Sequence, residues 1–302
     1  MRWNLTTFIP LKLIQNMCRF TFYQGKPIRI SSLLFEPKHS LVNQSFSANE
    51  REEPLNGDGF GLAWYNHHLS PEPALFKSIS PAWSNNNLVE LSRMLESSCI
   101  MAHVRAATQS LSVSEANSHP FKWGKFAFMH NGDIGGFTSI RRHLLEQLSD
   151  DIFNHIRGTT DSEHFFSLFL MELIANEDME PSDRLATSMM IAIRKIMSLI
   201  DQYAPGKMSY MNMVVTDGDL SLAVRFTTDV PENADSLYMN LGKKYVCKDG
   251  ICYMQDPGEH ERSVIISSEP LSVDPGWHII PVNSMVLIKD GHILNQMDIV
   301  LK

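Results

Sequence analysis

Four short stretches of this 302-residue chain carry side chains able to do acyl-transfer chemistry: Met17-Cys18-Arg19-Phe20, Ala102-His103-Val104-Arg105, His130-Asn131-Gly132-Asp133 and Thr160-Asp161-Ser162-Glu163. A cysteine at a free amino terminus carries its own general base, because an α-amino group titrates near ~7.7–8.0 and can take the thiol proton directly or through one water. Cys18 is that cysteine if the chain is cut after Met17; otherwise it reads as a small buried hydrophobe on a first strand. Arg105, at the end of an apolar run, has the planar fork that grips a carboxylate with two parallel hydrogen bonds, or it belongs to a structural ion pair. Asn131-Gly132 can aim a side-chain N–H and a backbone N–H at a developing oxyanion, although Asn-Gly is also a common turn dipeptide. Asp161 opens a helical pattern, either to hold an ammonium group or to serve as a first-turn acid complementing the helix dipole.

The elements that must position these groups follow from periodicity. Gly59–Tyr65, Cys99–Val104 and Phe126–Met129 read as short buried strands, and Asn56-Gly57-Asp58-Gly59 ahead of the first reads as a tight backbone turn, since it precedes a strand instead of opening a helix. Helices are predicted over Asn87–Ser97, Asp161–Leu173 and Ser182–Ile200, the last apolar at Leu185, Met189, Ile193 and Ile196. From Ser209 onward the pattern returns to strands. Asp217-Gly218-Asp219 between Met211–Val215 and Leu220–Phe226, and Asp290-Gly291 after Met285–Ile288, signal hairpins and hence antiparallel pairing. Strands, then helices, then strands imply sheets packed together and covered by helices.

Composition narrows the chemistry. With 43% hydrophobic and 20% charged residues and a formal charge of -8, the chain reads as globular, with no transmembrane span, and its acidic balance argues against nucleic-acid or anionic-membrane partners. Cys18, Cys99, Cys247 and Cys252 are too sparse for a disulfide framework, so the expectation is a reduced, cytoplasmic protein; Cys247 and Cys252 also lack histidines at zinc spacing. Residues 1–17 have a short apolar core broken by Pro10 and Lys12 and resemble neither a secretory signal nor a transit peptide. They are expected to be an upstream miscalled start, with Met17 the true one, or a propeptide removed by autoproteolysis.

Taken in order, Cys18-Arg19, Asn56-Gly57-Asp58-Gly59-Phe60-Gly61, His103-Val104-Arg105-Ala106-Ala107-Thr108, Asn117-Ser118-His119-Pro120-Phe121, His130-Asn131-Gly132 and Thr160-Asp161-Ser162-Glu163 resemble the class II glutamine amidotransferases, a branch of the N-terminal nucleophile hydrolases. Within that family, His39–Ser45, Phe76–Trp83 and Ser267–Leu271 are most similar to the amidotransferase-like subunit of the fungal glutathione-degrading (DUG) complex. The resemblance runs from Met17 to the last residue. It implies an α+β fold, a four-layer αββα sandwich of two antiparallel sheets, formed by residues 18–302 as one domain. It also implies Cys18 as nucleophile and base, Asn131 and Gly132 as oxyanion donors, Arg105 on the substrate α-carboxylate and Asp161 on its α-ammonium. His103, His119 and His130 are then structural, and no cofactor or metal is needed. The substrate implied is a γ-glutamyl amide, glutathione ahead of glutamine, with His39–Ser45 and Phe76–Trp83 shaping the amine side. Either a peptidase-like partner subunit or a homo-oligomer fits the same resemblance, as does a glutaminase handing ammonia to a synthetase on another polypeptide. If residues 1–16 stay attached, the chain is instead a non-enzymatic module.

Overall fold

The computed structural model describes residues 18–48, 56–106, 113–248, 250–256 and 262–301. The expected loss of residues 1–17 therefore falls outside the described residues. Fifteen strands and seven α-helices alternate among the described residues: β1 (Arg19–Arg29), α1 (Ser31–Leu34), α2 (Leu41–Gln44), β2 (Phe60–Trp64), β3 (Ala74–Ser78), α3 (Asn86–Met94), β4 (Glu96–Val104), β5 (Phe121–Trp123), β6 (Phe126–Asp133), α4 (Phe137–Leu145), α5 (Asp150–His155), α6 (Asp161–Ala175), α7 (Pro181–Tyr203), β7 (Tyr210–Thr216), β8 (Leu220–Thr227), β9 (Tyr238–Gly242), β10 (Lys244–Lys248), β11 (Ile251–Gln255), β12 (Ser263–Ser267), β13 (Trp277–Ile279), β14 (Ser284–Lys289) and β15 (His292–Asp298).

Two antiparallel sheets form the centre. One is seven-stranded in the order β13-β9-β12-β1-β4-β2-β3, and the other six-stranded in the order β15-β14-β8-β7-β6-β5. Alternation along each strand divides the core into three slabs. Phe20, Phe22 and Met101 from the first sheet meet Ala127, Met129, Val214 and Val286 from the second. On the outer face of the first sheet, Tyr23, Ile100 and Ala102 pack on Leu33, Leu41 and Leu88 from α1–α3. On the outer face of the second, Phe128, Met213 and Val215 pack on Phe165, Phe169, Ile193 and Ile196 from α6 and α7. The result is the expected αββα sandwich. Both sheets are buried on both faces, so β8 is buried along its whole length. Each large side chain removed from water contributes about 1.5–3 kcal/mol. Phe128 and Phe166 add a parallel ring stack at 5.0 Å.

The helices begin where local chemistry dictates. Thr160 caps α6, its side chain accepting from Glu163 N at 3.2 Å, and Pro181 opens α7 in a first turn that has no use for its missing N–H. The expected helix over Asn87–Ser97 ends earlier, at Met94. Leu95 is already extended (φ -92°, ψ 128°), and Glu96 begins β4. Apolar spacing alone could not separate a helix end from the strand that follows it.

Cysteine usage departs from expectation. Cys247 and Cys252 are direct cross-strand partners in the β10–β11 hairpin and form a disulfide there. The pair is too close in sequence to have read as a framework, yet a tight hairpin places the two side chains on the same face. Cys18 and Cys99 are free thiols.

Candidate active site

Cys18 immediately precedes β1, the strand held between β12 and β4 near the middle of the seven-stranded sheet. It is half-buried, and its thiol points at the carbonyl of Ala106, 3.7 Å away. The Arg19–Val104 pairing of β1 with β4 puts Cys18 beside Arg105. Arg105 in turn extends the β4–β2 ladder: its N–H donates to Gly59 O at 2.9 Å and its carbonyl accepts from Asp58 N at 3.1 Å. The turn read from Asn56-Gly57-Asp58-Gly59 thus seats the arginine. Arg105 is buried, 4% exposed; burial lowers its pKa, while Cys18 and Asp58 act to raise it.

Asn131 and Gly132 end β6 in the opposite sheet, paired with Asn212 and Met211 of β7. Asn131 is 3% exposed, and its amide makes no hydrogen bond among the described residues, leaving Oδ1 buried and unpartnered. An uncommitted buried amide costs about 1–3 kcal/mol and calls for a reason. Gly132 has φ +143°, and a Cβ there would lie 1.8 Å from Tyr210 O, so only glycine fits.

Asp161 is the first residue of α6. Its Oδ2 accepts from Ile134 N at 2.9 Å, and its Oδ1 accepts from Ser162 N at 2.8 Å and Ser162 Oγ at 3.2 Å. The carboxylate is therefore pinned just past the end of β6, with lone pairs remaining for a cation. The first-turn and ligand readings of this residue are compatible.

The histidines brace this arrangement. His103 Nε2 donates to His130 O at 3.3 Å, tying β4 to β6 across the sandwich. The His130 ring lies between Ser162 Oγ at 2.9 Å and Tyr210 O at 3.3 Å, joining β6 to α6 and β7. His119 stacks on His103 with centroids 4.3 Å apart. Burial pushes His103 down to about 3 and His119 well below its ordinary value, so both are neutral rings. Burial also lowers His130, with Asp161 opposing. Gly61 permits the close approach, because a Cβ there would lie 2.0 Å from His119 O.

Electrostatics converge on one sulfur. Burial pushes the Cys18 thiol up, the cations of Arg105 and Arg19 pull it down, and Asp161 pushes it further up. Cys18, Arg105 and Asp161 therefore share one field, though they come from three different elements.

Sequence reasoning missed the contacts that hold the Cys18 backbone. Arg19 Nη1 donates to the carbonyl of Cys18 at 3.0 Å, and Arg19 Nε donates to Glu269 Oε1 at 3.0 Å. Glu269 Oε2 accepts from His39 Nε2 at 2.8 Å. Of the stretches expected to shape the amine side, His39–Ser45 docks on this network: His39 N donates to Leu271 O, and Gln44 Nε2 to His39 O and Glu269 O. At the end of the Phe76–Trp83 stretch, Trp83 lies against Gly57 and edge-on to Phe46 at 6.0 Å, beside the turn that carries Arg105.

Residues 36–300 match the family described as glutamine amidotransferases class-II. The chain belongs to that family. It is 38% identical over 299 residues to a Saccharomyces cerevisiae protein named probable glutamine amidotransferase DUG3, covering 92% of this chain and 83% of that one. It is 22% identical over 279 residues to the gamma-glutamyl-hercynylcysteine sulfoxide hydrolase of Mycolicibacterium smegmatis, covering 92% and 98% of the two chains. Among solved structures, a glutamine aminotransferase class-II domain protein from Silicibacter pomeroyi superposes with a TM-score of 0.64 at 24% identity, over 94% of this chain and all of the other. The B. subtilis glutamine phosphoribosylpyrophosphate amidotransferase gives 0.57 at 13% identity, over 94% of this chain and 50% of that one. These two share the fold. Membership in the family makes this chain a class II amidotransferase-type enzyme, and no helix among the described residues is long and apolar enough to cross a membrane.

Proposed function

We propose that the chain, once it begins at Cys18, hydrolyses the γ-glutamyl amide bond of glutathione or a related γ-glutamyl compound. The amine of Cys18 takes the thiol proton, and the sulfur adds to the γ-carbonyl carbon, giving a tetrahedral oxyanion stabilised by Asn131 and the Gly132 N–H. The amine returns its proton to the leaving nitrogen as the C–N bond breaks. A γ-glutamyl thioester remains, and water, deprotonated by the same amine, releases glutamate and restores the thiol. Arg105 holds the α-carboxylate and Asp161 the α-ammonium, so recognition is confined to the glutamyl head and the amine side stays open.

The observation that carries the proposal is Asn131: a buried amide that makes no hydrogen bond among the described residues, on the strand that His103 ties to the Arg105 strand and His130 to the Asp161 helix. An oxyanion would accept from the Asn131 Nδ2–H, whereas the buried Oδ1, itself an acceptor, keeps its own cost. The names of two relatives support the substrate class, one a gamma-glutamyl hydrolase and the other a glutamine amidotransferase. The second name also favours an alternative, a glutaminase delivering ammonia to a separate synthetase.

Glutamate release from glutathione and from glutamine, measured on protein starting at Cys18 with and without co-purifying partners, separates the two. Preference for glutathione in kcat/KM supports the hydrolase. Preference for glutamine under both conditions, with ammonia the only other product, would replace it with the glutaminase.

A further inference from the structure

Two sequence stretches outside the catalytic motifs, His39–Ser45 and Ser267–Leu271, meet at Cys18. Arg19 and Glu269 are 250 residues apart in the chain, and their side chains are 5% and 1% exposed. Phe20 N donates to Ser268 Oγ at 3.1 Å, and Ser268 N to Phe20 O at 3.0 Å, so the β1–β12 ladder continues to the residue before Glu269. Glu269 is fixed from its other side by His39, whose own backbone is held by Leu271. The net effect is that one fork of a buried guanidinium is oriented by a carboxylate while another nitrogen grips the Cys18 carbonyl.

That carbonyl matters because of the chemistry proposed above, on which this inference rests. An amino-terminal residue has only one peptide link, and chain ends are poorly ordered unless tied down. For a terminal Cys18, holding its oxygen fixes the rotation about its Cα–C bond, and with it where the amine and the Cβ that carries the sulfur sit. We infer that Arg19, Glu269 and His39 are positioning residues for the nucleophile, acting through the Cys18 carbonyl. The arrangement also adds a second cation, beside Arg105, to the field at the sulfur. Among the described residues, the charged side chains acting on the sulfur are Arg105, Arg19 and Asp161.

The test uses protein beginning at Cys18 and reads thiol reactivity without any substrate: the rate of Cys18 carbamidomethylation by iodoacetamide against pH, followed by peptide mass spectrometry, beside kcat and KM for glutathione and glutamine. Arg19→Lys keeps the charge but loses the fork, so alkylation at neutral pH should fall about fivefold or more, with its pH profile displaced upward. Its kcat should fall about tenfold or more while KM stays within about threefold. His39→Gln, at the half-buried outer end, should move the same quantities in the same direction by about two- to threefold. Wild-type alkylation profiles in both variants, or a defect confined to KM, would overturn the inference. Should Arg19→Lys fail to fold, an unchanged profile in His39→Gln overturns it alone. Failure of the wild type on both γ-glutamyl substrates would count against the hydrolase reading, while alkylation would still decide the role of the network.

Discussion

Each reactive side chain has an ordinary structural reading and a chemical one, and substitutions separate them. Cys18→Ser keeps nearly the same volume but replaces a thiol with a much weaker nucleophile. Turnover should fall by about a thousandfold or more with an unchanged circular dichroism spectrum. Wild-type rates would mean another residue is the nucleophile. Asn131→Ala removes one oxyanion donor and also an orphaned buried amide. The expected signature is unusual: kcat down about 10²- to 10³-fold, with thermal stability unchanged or raised. A large loss of stability would instead give the amide a structural role. Arg105→Lys retains charge without the bidentate fork, so kcat/KM should drop well beyond threefold, or ~0.7 kcal/mol, and only for substrates bearing an α-carboxylate.

At the scale of elements, the site depends on close approaches that leave no room for a side chain. Gly61 on β2 lets the His119 backbone cross it, and Gly132 at the end of β6 accommodates Tyr210 O. Gly61→Ala should destabilise by about 2 kcal/mol or more, because the contact is with backbone and cannot rotate away. A shift in melting temperature within error would show that the crossing segment adapts. The neutral histidines between β4 and β6 set a pH dependence. His103 has a folded-state value near 3 against about 6.5 unfolded, so below 6.5 the unfolded chain binds more protons. Stability is then fully present above about 6.5 and is lost as pH falls toward 3, with His119 and His130 adding in the same sense. Melting temperatures of wild type and His103→Gln between pH 7.5 and 5 check this: the fall should be smaller in the variant, and an equal fall would place the titration elsewhere.

At the scale of the molecule, two stacked sheets bring Cys18, just ahead of β1, together with Arg105 after β4 and Asp161 at the start of α6. The chemistry requires a free amine on Cys18, which exists only if the bond to Met17 is cut. Intact-mass analysis of the native protein should therefore find a chain beginning at Cys18. Full activity in a chain retaining residues 1–16 would remove the amine as base. β13 and β9 lie at the partly exposed end of the seven-stranded sheet, and polar residues interrupt β1 and bound the short β12, so these four strands were not delimited in advance. The long helices were legible because a one-sided or fully buried helix repeats every three or four residues over many turns. The short α1, α2, α4 and α5 are too brief for such a signal.

Residue types and their order alone pointed to Cys18, Arg105, Asn131, Gly132 and Asp161, because the chemistry of a thiol, a fork, an amide and a carboxylate is local to each side chain. Periodicity placed α6 and α7 and the hairpins at Asp217-Gly218-Asp219 and Asp290-Gly291 for the same reason: spacing is a local property. What waited for the tertiary structure was every contact made between distant strands. The pairing of β1 with both β4 and β12 puts Cys18 beside Arg105 and Arg19 onto Glu269, and no local pattern specifies which strand lies next to which. The same holds for the bond between His103 and His130 and for the docking of His39 on Glu269. Each is decided by how two sheets bury both of their faces at once, a property of the whole chain collapsing into layers and of no segment within it.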